Sequence, residues 1–251
     1  MSRGDMADSL LVPELLAPAG TLECGLAAFD AGADAVYAGL ERYNAREMGR
    51  NCSMEEFSRL VSYAHRRSRR VYVTLNTLLK ENELSDMAGI LAELAVIRPD
   101  GVIVQDIGLL RMIREYFPIL EIHASTQMGF HNSAGIEAAA RMGVRRVILE
   151  RQVTIEEIRE IRRRTDVELE VFAHGALCCS RSGRCLFSSW IGGWSGNRGR
   201  CKQPCRRRYF SDKGNGFFFS TKDLYSLDRI PQLAEMNIAG LKIEGRLRKA
   251  D

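Results

Sequence analysis

The 251-residue chain is 45% hydrophobic with a formal net charge of only +4, which suits one large domain with a sizeable core. Its opening, MSRGDMADSLLVPELL, has Asp5 and Asp8 and no long apolar run, so neither a secretory leader nor a membrane span is readable. A cytoplasmic protein without membrane association is expected, with residues 1–12 as a flexible N-terminal arm and 13–251 as a single domain.

From residue 14 onward, short apolar runs alternate with helix-period stretches, the pattern of repeated β-α units around a parallel sheet. The expected strands are ELLAPAG (14–20), AVYAGL (35–40), RVYVTLN (70–76), GVIVQD (101–106), EIHAST (121–126), RVILER (146–151), ELEVFAHG (168–175) and GLKIEG (240–245). Between them lie amphipathic segments such as SMEEFSRLVSYAHRRS, ENELSDMAGILAELAVI, HNSAGIEAAARMG and TIEEIREIRRRT, the last opening on a Thr-x-x-Glu cap. Eight such units predict an α/β fold, a TIM-like (β/α)8 barrel. An open doubly wound sheet is the alternative, and no G-x-G-x-x-G turn follows the first strand to support it.

After the seventh strand the rhythm breaks. A Cys-rich loop, 176–208, is followed by RRRYFSDKGNGFFFS, read as a hairpin turned at Lys213-Gly214-Asn215-Gly216, and by a helix-like SLDRIPQLAEM. The insertion leaves the C-terminal end of a barrel strand, the face where such barrels carry their chemistry. The chain then stops at KIEGRLRKAD, where an eighth helix is expected, so the last helix and a C-terminal region are read as missing or supplied by another segment or partner.

Residues 174–210 hold five of the seven cysteines, eight Arg and Lys side chains and no acid. In a reducing compartment such crowding points to metal or redox chemistry rather than disulfides. The spacing Cys178-x6-Cys185-x15-Cys201-x3-Cys205 suits four thiolates around an iron-sulfur cluster or a zinc ion, and the wide gaps lean towards a cluster wrapped by a loop. A thiolate-bound cluster is anionic, and the loop's arginines would offset it; its glycines, Gly192, Gly193, Gly196 and Gly199, would let backbone N–H groups approach sulfur. The same arginines, interleaved with Trp190, Trp194 and Tyr209, also read as an RNA-binding surface.

The segment ELEVFAHGALCCSRSGRCLFS, with Glu170, Phe172, Gly175, Ala176, Leu177, Cys178, Gly183, Cys185 and Ser188 at the signature positions, resembles the U32, or collagenase-like, peptidase family. ELLAPAG, YNAREMGRN, GVIVQD, HASTQM and LKIEGR are similar too, so the resemblance runs from about residue 13 to 248. The family name implies a protease, yet neither H-E-x-x-H nor G-x-S-x-G is present, and a Cys178–His174 pair lacks an evident third group. The resemblance to the RNA-hydroxylating branch implies an O2-independent hydroxylase of tRNA or rRNA. It also implies a 4Fe–4S cluster on Cys178, Cys185, Cys201 and Cys205, with prephenate as oxygen donor. A zinc-stapled RNA-binding accessory is a third reading. Cys179 departs from the pattern as an extra thiol, and the RNA-modifying members continue past this chain's end.

Polar residues at strand C-terminal ends should converge on the barrel mouth. His174, His123, Glu244 and Arg246 are the catalytic candidates, and Asn44, Arg46, Asn76, Gln105, Gln127, Arg151 and Lys242 the substrate-binding ones, with a small anionic co-substrate suited to the cations. Glu14, Tyr37, Asp106, Ser125 and Glu150 are further lining candidates, Glu14 the weakest because it opens its strand. His65, His131, Cys24 and Cys52 read as structural, and the electron donor is not readable.

Overall fold

The computed structural model describes residues 12–250, so all but the last residue of the expected N-terminal arm lies outside the described residues. Seven strands in chain order build most of one sheet: β1 (Glu14–Ala19), β2 (Ala35–Gly39), β3 (Arg70–Leu75), β4 (Gly101–Val104), β5 (Ile122–Ala124), β6 (Val144–Ile148) and β7 (Glu168–Ala176). Beyond them lie a small hairpin, β8 (Tyr209–Ser211) with β9 (Gly214–Gly216), then β10 (Asp223–Tyr225) and β11 (Gly240–Ile243). β11 pairs in parallel with both β7 and β1, and β6 with β7, which closes an eight-stranded parallel barrel. The TIM-like reading therefore holds, and the open sheet is excluded.

Helices α1 (Leu22–Asp30), α2 (Met54–His65), α3 (Leu84–Ile97), α4 (Ile107–Tyr116), α5 (Ser133–Arg141) and α6 (Ile155–Arg162) follow β1 to β6 in turn. Local chemistry starts them: Ser53 with Glu56 and Thr154 with Glu157 form reciprocal capping boxes, satisfying N–H groups that a helix start otherwise leaves unpaired. On α2 the residues Phe57, Leu60, Val61 and Ala64, at helical spacing, are buried in the core between sheet and helices, and each large one contributes about 1.5–3 kcal/mol. A short α7 (Phe187–Trp190) sits within the Cys-rich loop, and α8 (Ile230–Glu235) precedes β11.

Period-two alternation divides each strand between the helix-facing core and the barrel interior. Leu16, Tyr37, Tyr72, Ile103, Ile148 and Phe172 fill that interior. Below them lies a charged floor: Arg146 donates to Glu14 and Glu170, the Tyr72 hydroxyl donates to Glu14, and Lys242 donates to Glu170 at 2.9 Å. Glu14, expected at the mouth as a weak candidate, thus stands at the opposite end, because it opens β1.

Three local expectations change. The hairpin turns at Asp212–Lys213, since Ser211 pairs with Gly214 and Gly214–Gly216 already belong to β9. β10, not legible in the sequence, runs antiparallel to the tip of β7 over residues 174–176. Asp106 caps α4 by accepting from the Leu109 amide and so serves the helix rather than the mouth.

Candidate active site

The C-terminal ends of the strands and the Cys-rich loop enclose a cavity of about 130 Å³. Drug-sized ligands occupy roughly 300–1,000 Å³, so this one suits a small molecule or a single inserted group. Its lower wall comes from the strands. Because β11 and the residues after it keep alternating, Lys242 and Glu244 face the interior at successive levels, and Arg246 follows. Glu244 is gripped from two sides, accepting from Arg46 at 2.7 Å and from Arg151 at 3.2 Å. Arg246 donates to Asn44 at 3.1 Å and Thr74 at 2.8 Å.

Three guanidiniums around one carboxylate set the electrostatics. Burial opposes the Glu244 charge, yet Arg46, Arg151 and Arg246 outweigh it and hold the carboxyl down to about 2. Burial pushes the Arg246 guanidinium down to about 10 and lowers Lys242, against the pull of Glu170. Tyr37, which donates to the Ile243 carbonyl at 2.8 Å, is raised by burial first and by Glu244 second, so it stays a neutral phenol. Arg151 lies 3.8 Å over the Phe172 ring and reaches Ser182 of the loop at 2.9 Å, linking wall to cap. Its Nε, and Oε1 of Gln127, are buried without hydrogen-bond partners among the described residues, and both residues line the cavity.

The cap is the Cys-rich loop. Cys178, Cys185, Cys201 and Cys205 all line the cavity, whereas Cys179 does not; Cys52 is buried in the core with its thiol pushed up to about 12 by that burial. Backbone amides of Phe187 and Gln203 donate to the sulfurs of Cys185 and Cys201, each at 3.4 Å, and the Ser188 hydroxyl donates to Cys201 at 3.7 Å. The N–H donors are thus not the loop glycines. Such N–H···S bonds, together with nearby guanidiniums, suit thiolates that carry a cluster's negative charge. The donor set fits an iron-sulfur centre, although among the described residues no three Cys, His, Asp or Glu side chains are gathered closely enough to hold a metal ion as they stand.

Gly199 has another task. At φ +74° it lies against the loop after β2, where a Cβ would sit 2.1 Å from the Asn44 carbonyl oxygen. Nearby, Arg198 pairs with Glu83, and Arg200 with Glu47 at 2.9 Å. Arg206 pairs with Asp223 at 2.8 Å. Several of the loop's cations thus fasten the cap to the rim.

Of the sequence candidates, Arg46, Asn76, Gln127, Arg151, Lys242, Glu244 and Arg246 meet at the cavity with the four cysteines. Asn44 stands behind it, accepting from the Arg46 amide and from Arg246, and Asn76 braces the same loop through the Ala45 amide. Gln105 is buried beside Gly183 rather than on the wall. Two candidates lie elsewhere. His123 is fully buried towards the floor, 2.9 Å from Glu121 and against the Tyr72 ring, because its register on β5 sets it beside Arg146. His174 is exposed on the tip of β7, edge-on to Tyr225, because β10 pairs there. Neither histidine lines the cavity. His65 pairs with Asp100, and His131 sits against the Gly129 carbonyl, both outside the mouth. Thr74, Ser182 and Gln203 line the cavity without having been singled out, since nothing but their place in the fold distinguishes them, and Phe172, noted only as a signature position, lines it too.

The family model for peptidase family U32 matches residues 20–251. The chain belongs to that family. It is 38% identical to an uncharacterized protease of Methanocaldococcus jannaschii, over 96% of this chain and 62% of the relative. Identity is 35% to tRNA hydroxylation protein P1 of Bacillus subtilis, over 94% and 59%. It is again 35% to the 23S rRNA 5-hydroxycytidine C2501 synthase of Escherichia coli, over 94% and 36%. The chain thus spans less than two thirds of the length of each of these relatives. Its fold is similar to that of the U32 peptidase Mk0906, with a TM-score of 0.63, 15% identity and coverage of 98% of this chain and 96% of that one.

Proposed function

We propose that the mouth is the active site of an enzyme that hydroxylates a nucleobase in tRNA or rRNA without O2, using a 4Fe–4S cluster held by Cys178, Cys185, Cys201 and Cys205. One observation carries the reading: these four thiols, and not Cys179, share a single cavity with Arg46, Arg151, Lys242, Glu244 and Arg246. The relatives named for tRNA and rRNA modification support the choice of substrate. When bound, such a cluster supplies one-electron chemistry at thiolate-ligated iron.

This chain's own residues define the rest. Lys242 and the guanidiniums of Arg46, Arg151 and Arg246, against Glu244, leave an excess of positive charge that suits a small anion, with prephenate as the oxygen donor of this reading. The apolar walls supplied by Ile103, Ile148 and Phe172 strengthen these interactions. No helix among the described residues is long and apolar enough to cross a membrane, which accords with a cytoplasmic RNA enzyme.

Proteolysis finds less support at this site, because no histidine lines the cavity to serve as base for a cysteine or serine nucleophile. The test is anaerobic purification with iron, acid-labile sulfide and zinc measured per chain, followed by mass spectrometry of RNA treated with the protein and a reductant. About four irons and four sulfides, with a hydroxylated nucleoside that Cys185→Ser abolishes, are expected for a cluster on four thiolates. Zinc alone would replace this reading with a stapled RNA-binding accessory, and peptide cleavage by metal-free protein would replace it with a peptidase.

A further inference from the structure

The cap carries a second surface, outside the cavity. Phe187, Tyr209 and Phe219 form a small aromatic cluster with ring centroids between 5.2 and 6.2 Å apart, tying α7 to the β8–β9 hairpin. Tyr209 also donates to the Pro204 carbonyl at 2.9 Å, which anchors the frame beside Cys205. Around it Trp190 at the end of α7, Phe210 on the hairpin face opposite Tyr209, and Phe217 and Phe218 just after β9 are exposed, at 86%, 75%, 59% and 66%. So much bare aromatic area around one frame is unusual unless something covers it.

Six of the eight neighbouring cations separate into two sets, while Arg181 donates to the Gly129 carbonyl and Lys202 lies over the Trp194 ring. Arg198, Arg200 and Arg206 are neutralised by Glu83, Glu47 and Asp223. Arg184, Arg207 and Arg208 are exposed and form no ion pair among the described residues, and Arg208 lies 5.9 Å from the Phe210 ring. Flat apolar faces beside unneutralised guanidiniums complement a chain that has both bases and phosphates. A purely apolar partner would leave those charges buried and unpaired.

We infer that this face of the cap binds single-stranded RNA flanking the base that enters the cavity. Bases stack on Trp190, Phe210, Phe217 and Phe218, while phosphates pair with Arg184, Arg207 and Arg208. Arg206 lines the cavity, and Arg207 and Arg208 follow it directly in the chain, so the two surfaces adjoin. Double-stranded RNA keeps its base faces stacked and binds this surface more weakly. The inference rests on the RNA reading above.

Trp190 and Trp194 are the only tryptophans, so a Trp194→Phe background isolates the emission of Trp190. The probe is a fluorescein-labelled single-stranded RNA of about 12 nucleotides, within the span that stacking platforms cover, alongside its duplex. Expected are quenching of Trp190 by the unlabelled single strand and affinity lowered about tenfold by Trp190→Ala and by the Phe217→Ala/Phe218→Ala pair. Arg207→Gln/Arg208→Gln should reduce the salt slope by about 1.4, at about 0.7 per phosphate contact. Unchanged circular dichroism and iron content would show that these exposed substitutions leave the cap folded. Binding with no quenching and with wild-type affinity in every variant would overturn the inference while leaving the RNA reading intact. A dimer in sedimentation that the aromatic variants dissociate would overturn it in favour of self-association. No RNA binding by the wild-type protein would instead remove the RNA reading, and this inference with it.

Discussion

Glu244→Gln tests the electrostatic logic of the mouth. The substitution keeps the side chain's shape but removes the charge that Arg46, Arg151 and Arg246 surround. The surrounding guanidiniums hold the carboxyl down to about 2 in the folded chain, against an ordinary value of about 4.5. A depressed carboxylate stabilises the fold fully above its unfolded value and loses that contribution as pH falls through the folded one. At about 1.36 kcal/mol per pH unit of displacement, the ionised form contributes on the order of 3 kcal/mol at neutral pH. At pH 3, where the unfolded chain is already mostly protonated, less than half of that remains. Urea unfolding of wild type and variant at pH 7 and at pH 3 would measure the difference, and taking it between the two proteins cancels the other carboxylates. The gap should shrink by more than half across that interval. A gap that is constant with pH, or absent at pH 7, would refute the idea that three guanidiniums hold this carboxylate ionised.

The ligand assignment predicts that Cys185→Ser loses the metal centre while Cys179→Ser retains it, read from iron and sulfide content and the visible spectrum; equal retention in both would refute it. Gly199→Ala forces a Cβ towards the Asn44 carbonyl at a φ of +74°, so the cap should shift from the rim. Limited proteolysis should then cut the loop faster, and metal content should fall. His174→Ala, on the exposed tip of β7, should change RNA hydroxylation less than about twofold, whereas Arg151→Ala should lower it by tenfold or more because Arg151 joins Glu244, Ser182 and the cavity. A large loss in the histidine variant would return His174 to the reaction.

The barrel was legible because its signals are local. Apolar runs such as AVYAGL and GVIVQD, and the caps at Ser53 and Thr154, report backbone preferences within a few residues. That four cysteines would share one cavity was legible for a related reason, since a single loop carries all four close together in the chain. The hairpin turn was misplaced because Gly214 and Gly216 signal a turn wherever they occur, and only pairing with Tyr209 and Ser211 puts them in a strand.

The sequence by itself determined the alternation of strands and helices, the site of the insertion and the identity of the thiols in it. Tertiary structure decided which polar side chains meet. His123 lies within β5 and Arg151 just after β6, and their places along and around the barrel send one to the floor and the other to the mouth. His174 precedes the first cavity cysteine by four positions, and a strand from 49 residues later turns it outward. The arginines of the loop look alike in sequence, but Glu83, Glu47 and Asp223 neutralise three of them, Arg181 donates to the Gly129 carbonyl, and Arg184, Arg207 and Arg208 form no ion pair among the described residues. The physical reason is the same throughout. Residue type and spacing act over one turn or one strand, whereas convergence on a cavity depends on register, closure and ion pairs between segments that may lie two hundred residues apart, as Asn44 and Arg246 do.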